Sequence, residues 1–210
     1  MSSPARRILV LFAHPALEKS RVNRRLLAAV SEVDGVALHD LYEAYPDFDV
    51  VVEVEQARLA AHDVVVLQFP LYWYSTPALL KQWLDLVLEH GWAYGKDGDA
   101  LEGKTLVCAI TTGGRAVAYG PEGLNRFTLR EFLRPLEQTA RLCGMRFLAP
   151  LVLHGTLGVS DEAIAAHAEV YGRLLRALHE GTLDLGGAAR AERLDLELER
   201  LILPEEEGDR

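Results

Sequence analysis

Five short apolar runs rich in β-branched residues recur along the chain: Ile8 to Ala13, Val36 to Leu41, Val64 to Phe69, Thr105 to Thr111 and Phe147 to Leu153. They are continuous rather than alternating, the pattern of strands covered on both faces. Between them, apolar positions take helical spacing over approximately Val22 to Val33, Val52 to Ala61, Pro77 to His90, Leu124 to Cys143 and Glu162 to His179. Strands alternating with helices predict a parallel sheet with helices on both sides, a doubly wound α/β fold.

The ends of these segments carry physical signals. Ser20 or Arg21 stands before the first helix, Thr76 reads as an N-cap with Pro77 in the first turn, Ser160 and Asp161 precede the last helix, and Gly144 is a terminator. Pro135 falls inside the fourth helical pattern, where a missing N–H and a ring clash predict a kink or a split. Beyond Gly186 and Gly187, Leu194, Leu198 and Leu201 recur at helical spacing before the acidic end "PEEEGDR". Residues 1–183 therefore read as one domain, and 184–210 as an amphipathic helix with an acidic tail.

Composition narrows the function classes. The 210 residues suffice for one α/β domain, and 31 acidic against 22 basic side chains give a net charge of −9. Such a field repels a phosphate backbone, so nucleic acid is not an expected partner. "ILVLFA" and "VVVLQF" fall well short of the roughly 20 residues a membrane helix needs, and the N-terminus lacks a leader pattern, so a cytoplasmic protein is expected. Cys108 and Cys143 have no ligand spacing and read as small core hydrophobes; no metal site is expected. His39, His62, His90, His154, His167 and His179 form no metal spacing either; His154 follows the fifth strand and could reach a pocket.

In the five-stranded order 2-1-3-4-5, ligands bind beyond the carboxyl ends of the first, third and fourth strands. The first loop, "HPALEKSRVN", runs from His14 into a helix start with Ser20, Arg21, Val22 and Asn23. Helix N–H groups with Ser, Arg and Asn donors suit a phosphate, although the run is neither a P-loop nor GxGxxG and would serve equally as a plain helix cap. The second, "PLYWYST", puts Pro70, Leu71, Tyr72, Trp73 and Tyr74 at a strand tip where small turn residues are usual. Three consecutive aromatics cannot share one core face, so at least one points outward, and the prolines stiffen the backbone as a platform for a flat ring. In the third, Thr111, Thr112, Gly113 and Gly114 bring amides without side chains to the same edge, where they could receive developing negative charge or simply form a turn.

Taken in order, "HP", "SRVN", "FPLYWYSTPALLKQW", "HGWAYG" and "ITTGG" resemble the NAD(P)H:quinone oxidoreductase family of the flavodoxin-like fold, over roughly Arg7 to Leu178. "LYEAYPDFDV" with "HGWAYG" resembles in particular the ancillary quinone oxidoreductase subunits of glutathione-regulated potassium efflux systems. The resemblance implies a three-layer flavodoxin-like sandwich, a flavin cofactor, FMN with FAD possible, and NAD(P)H as co-substrate for ping-pong hydride transfer through flavin N5 to a quinone. It implies that His14, Ser20, Arg21, Val22 and Asn23 hold the phosphate and ribityl chain. Pro70, Leu71, Tyr72 and Trp73 would line the ring, and Thr111, Thr112, Gly113 and Gly114 close its pyrimidine side. Tyr119 would be the catalytic hydroxyl, and Tyr74 and Tyr94 would bind substrate, Tyr94 across a homodimer interface. In one respect the chain departs from the family: better-known members carry a His soon after that Tyr as its proton-relay partner, and here Asn125 or Arg126 stands at about that place. The alternative role is a regulatory subunit on the cytoplasmic domain of a potassium efflux transporter, peripheral to the membrane. A one-electron flavodoxin carrier and a phospho-receiver are disfavoured, the first for want of its hydroxyl- and Gly-rich loop, the second for want of an acidic pair after the first strand.

Overall fold

The computed structural model describes residues 5–204. Strands β1 (Ile8–Phe12), β2 (Val36–Asp40), β3 (Val64–Pro70) and β4 (Thr105–Thr112) run parallel in the order 2-1-3-4. The expected fifth strand is two short ones, β5 (Arg146–Phe147) and β6 (Leu151–His154), both paired with β4 at the sheet edge. The order 2-1-3-4-5 therefore stands, with the last strand interrupted.

The interruption has a local cause. Pro150 has no N–H to give the ladder, the Ala149 N–H donates to the Ala188 carbonyl at 2.9 Å, and the Pro150 carbonyl accepts from the Leu194 N–H at 2.9 Å. A segment after the main fold thus takes the hydrogen-bonding groups that an edge strand would leave open. That segment holds α8 (Leu185–Arg190) and α9 (Leu194–Leu201), and the Asp195 carboxylate accepts from the Val152 N–H at 3.0 Å. Leu194, Leu198 and Leu201 are buried in the core, while the acidic tail lies outside the described residues.

Helices α1 (Arg21–Val30) and α7 (Asp161–Glu180) cover one face with α8 and α9, over Ile8, Val10, Val64, Val66 and Val107. The other face packs Leu9, Leu11, Val65, Leu67, Phe69 and Cys108 under the remaining helices. These are α2 (Leu41–Ala44), α3 (Val52–Ala60), α4 (Ala78–Val87), α5 (Leu129–Phe132) and α6 (Arg134–Leu142). Alternate residues of each strand feed opposite cores, which is why the strands read as unbroken apolar runs. Both cysteines are buried.

Several helix boundaries differ from the sequence pattern: α1 ends at Val30 and not Val33, and α4 at Val87 and not His90. The segment from Leu124 to Thr128 is not helical: Arg126 has φ +60°, Leu124 is exposed, and a capping box between Thr128 and Glu131 starts α5 at Leu129. The split at Pro135 is present, between α5 and α6. Thr76 does not cap α4; Pro77 occupies that position, and the buried Thr76 hydroxyl has no partner. Ser20 and Ser160 do cap, accepting from the N–H of Asn23 and of Ala163.

The segment "LYEAYPDFDV" is fastened by Glu55, a fully buried carboxylate. It accepts from the Tyr45 hydroxyl at 2.8 Å and the Trp83 indole N–H at 2.9 Å, and His39 Nε2 lies 3.0 Å from the same oxygen that Tyr45 reaches. Burial pushes this carboxyl's pKa up, but the His39, Trp83 and Tyr45 contacts outweigh burial and hold it down at about 2. The charge ties β2, α3 and α4 together on this second face of the sheet.

Candidate functional site

The parallel register brings Phe12, Pro70, Thr112 and His154 to one edge of the sheet. After β1, the His14 ring is buried and its Nδ1 accepts from the Ala16 N–H at 3.0 Å, so Nε2 carries the proton of the neutral ring. Burial lowers its pKa, which keeps it a neutral donor. One 3₁₀ turn, Leu17–Lys19, then delivers Ser20 to the start of α1. Asn23 donates through Nδ2 to Ser20 Oγ at 3.0 Å and to Thr111 Oγ1 at 3.3 Å, joining this loop to the end of β4. Its Oδ1 is buried without a partner. The Arg21 guanidinium donates to Asp161 Oδ1 and to the Val159 carbonyl, both at 2.5 Å, so its charge is shared with the start of α7.

After β3, the Leu71 N–H donates to the Thr111 carbonyl at 2.8 Å. Tyr72 and Ser75 then exchange both backbone hydrogen bonds across a two-residue turn. At its tip Trp73 has φ +47° and Tyr74 φ +65°, conformations that cost a residue with a Cβ ~1–2 kcal/mol each. Two successive aromatics held this way are an outlier of the kind found at ligand sites. Trp73 is 92% exposed, the outward aromatic that the sequence requires. Tyr72 lies edge-on to His14. Tyr74 stacks on Phe132 with ring centroids 5.0 Å apart, and its hydroxyl donates to Asn125 Oδ1 at 3.3 Å.

After β4, a Cβ built on Gly114 would fall 3.2 Å from the Tyr119 hydroxyl. Glycine thus allows the phenol to lie against the loop backbone. Thr112 is buried behind the loop.

These three loops, with Thr156 and Leu157 from the end of β6, enclose a cavity of about 900 Å³. It gathers every expected cofactor residue except Thr112, together with Tyr119. Tyr74 and Tyr94 are not in its walls. Tyr94 lines a separate, mostly apolar groove of about 320 Å³ between α4 and α6, with Leu84, Leu133, Leu136 and Leu142. Sequence reasoning missed Ala16, Lys19, Thr156 and Leu157. "HGTLG" follows the last strand at the same edge, and extending the rule of ligands at carboxyl ends to that strand would have found the last two.

The site can hold an anion at the first turn of α1, whose N–H groups lack intrahelical partners apart from the capped Asn23. It can also hold a flat ring between the Pro70–Trp73 segment and the glycine pair. The orphaned Asn23 Oδ1 calls for a hydroxyl or N–H donor. FMN offers all three: a phosphate, a polyhydroxyl chain and a planar heterocycle.

A family profile described as flavodoxin-like fold matches residues 6–175. The glutathione-regulated potassium-efflux system ancillary protein KefG of Cronobacter sakazakii is 46% identical over 175 residues, 83% of this chain and 95% of that protein. General stress protein 14 of Treponema denticola, solved in complex with FMN, is 38% identical with a TM-score of 0.77, over 82% of this chain and 99% of the other. An NADPH-quinone reductase from P. pentosaceus is 36% identical with a TM-score of 0.74, over 80% and 97%. A structure described as a thermophilic tryptophan halogenase from Streptomycin violaceusniger is 43% identical with a TM-score of 0.76, over 78% and 95%. These relatives share a fold and differ in the activity attached to it.

Proposed function

The chain belongs to the flavodoxin-like fold family, and from that premise we propose that it is an FMN-dependent oxidoreductase that reduces quinones with NAD(P)H. The observation that carries this reading is the meeting of three loops in one cavity: a capped helix start beside an orphaned amide oxygen, a rigid aromatic turn, and a glycine pair backed by a phenol. When bound, a flavin would supply two-electron hydride chemistry between a nicotinamide and a quinone. FAD remains the alternative form of the cofactor.

The protein's own groups bind, orient and stabilise charge. The α1 N-terminus with Ser20 and Arg21 would hold the phosphate, and His14 Nε2–H and Asn23 Oδ1 would serve the hydroxyl chain. Pro70, Leu71 and Tyr72 set the depth of the ring through their backbone, and Trp73 offers a stacking face to a planar substrate. The amides of Gly113 and Gly114 and the hydroxyl of Tyr119 would stabilise negative charge developing on a bound ring. Two flat partners using one slot in turn give ping-pong kinetics, with the slot exposed enough to exchange them.

A second copy completes the site in this reading: the Tyr94 groove is the homodimer contact, through which Tyr94 reaches the partner's slot. The KefG relationship supports a second role, an ancillary subunit on the cytoplasmic domain of a potassium efflux system. Among the described residues no helix is long and apolar enough to cross a membrane.

The test is a visible spectrum of the purified protein, identification of the released flavin by mass, and NAD(P)H oxidation with and without a quinone. A flavin spectrum with quinone-dependent turnover is expected; a preparation that is colourless and takes up neither FMN nor FAD overturns the reading. Co-purification with a transporter domain separates the ancillary role from a free-standing enzyme.

A further inference from the structure

The proposed site leaves one half-buried group without a role. His154, the last residue of β6, stands opposite Thr112 in the sheet register. Its Nδ1 is 2.9 Å from Thr112 Oγ1, and the same hydroxyl lies 2.8 Å from the Gly114 carbonyl. A threonine hydroxyl has one proton, and a carbonyl can only accept, so that proton goes to Gly114. Thr112 Oγ1 must then accept from His154, which places the imidazole proton on Nδ1 and leaves Nε2 bare. The Gly114 carbonyl also accepts from the Gly155 N–H, and the Thr112 carbonyl from the Thr156 N–H, both at 3.0 Å. The loop after β4 is bolted to the loop after β6 at three points, and His154 orients the side-chain one.

The same imidazole backs Tyr119, with ring centroids 5.1 Å apart. Both rings border a second cavity of about 260 Å³ behind the phenol, with Arg130, Glu192 and Arg193. Arg130 spends its guanidinium on the carbonyls of Ala189 and Ala191, and Arg193 pairs with Asp195. Burial first, then the charge of Arg193, lowers the His154 pKa to about 4 against the opposing pulls of Asp195 and of a backbone contact with Gly114; His167 adds to the lowering. At neutral pH the ring is uncharged, so it cannot act as the proton donor that the resembled family places soon after its Tyr. Asn125, near that place in the sequence, is engaged with Tyr74.

We infer that His154 is the positioning residue of the site: through Nδ1–H it holds the Thr112 hydroxyl on the Gly114 carbonyl, and with its ring it seats Tyr119 against the loop. The glycine amides and the phenol thereby present one fixed set of donors to the cavity. This rests on the flavin reading for its catalytic consequence, but the hydrogen-bond assignment does not.

The first test uses the flavin-free wild-type protein. The two imidazole ¹⁵N shifts of His154 at neutral pH are expected to show a protonated Nδ1 and an unprotonated Nε2. The opposite tautomer overturns the inference, whether or not flavin binds. The second test compares variants loaded with FMN. An Asn side chain can place its N–H near the site of Nδ1, whereas Gln reaches toward Nε2. His154→Gln and Thr112→Val are each expected to slow flavin reduction by NAD(P)H about tenfold, equivalent to ~1.4 kcal/mol, and the double variant should be no slower than either. His154→Asn should recover most of that loss. FMN affinity, read by quenching on titration, should change less than about twofold throughout, a factor worth under ~0.5 kcal/mol, since the phosphate end is untouched. Equal rates for Asn and Gln, or additive losses in the double variant, would overturn the assignment, while failure of every form to take up flavin would count against the proposed function alone.

Discussion

Replacing Glu55 by Gln tests whether a buried charge holds β2, α3 and α4 together. Glu55 is fully buried; the Tyr45 hydroxyl, the Trp83 N–H and Arg58 donate to its carboxylate, and His39 Nε2 lies 3.0 Å from one of its oxygens. A carboxylate satisfies all of them, while an amide must turn its NH₂ toward at least one. The native carboxyl titrates at about 2 against an ordinary 4.5. At about 1.4 kcal/mol per pH unit, that gap is worth ~3 kcal/mol of stability at pH 7. The folded-state pKa is the lower one, so the contribution is complete above the ordinary value and drains away as pH falls from 4.5 through about 2. At pH 3 it should have shrunk to ~1.4 kcal/mol. Urea unfolding of wild type and Glu55→Gln at pH 7 and pH 3 measures both numbers. The variant should be weaker by ~3 kcal/mol at the first pH and by about half that at the second. A difference that stays constant between the two would show that packing around position 55, and not its charge, is what the substitution removes.

Three further outcomes are expected. Tyr119→Phe should slow flavin reduction about tenfold, ~1.4 kcal/mol, with FMN affinity nearly unchanged, because the cavity is open to solvent and one donor there is worth less than in a dry site; stopped-flow reduction at the wild-type rate would leave the charge to the Gly113 and Gly114 amides. Trp73→Gly should stabilise the fold by ~1 kcal/mol by relieving a left-handed tip residue, while raising KM for quinone, and a lower Tm would refute the strain argument. The wild-type chain should sediment as a dimer at micromolar concentration, and Leu142→Glu, at an exposed wall of the Tyr94 groove, should shift it toward monomer; sedimentation unchanged by the charge would move the contact elsewhere.

Much of the fold was legible because its causes are local or periodic. Continuous apolar runs demand cover on two faces, capping serines satisfy N–H groups three residues on, and Pro135 forbids an unbroken helix wherever it is placed. These features, with the resemblance of the three loops, sufficed to predict the strand order and to select most of the residues that line the cavity, though not Ala16, Lys19, Thr156 or Leu157. Other features depended on partners distant in sequence. The fifth strand breaks because Ala188 and Leu194 compete for the backbone of Ala149 and Pro150, a rivalry across some forty residues. Leu124 to Thr128 has helical spacing but no face to bury, so its pattern went unused. Trp73 and Tyr74 have no intrinsic reason to adopt positive φ; the Tyr72–Ser75 pairing imposes it. His154 and Thr112 lie forty-two positions apart, and only the register of β4 against β6 makes them neighbours. Period and capping act within a turn or two of the chain and can be read from residue order, whereas which donor meets which acceptor across the sheet is decided only when the strands align.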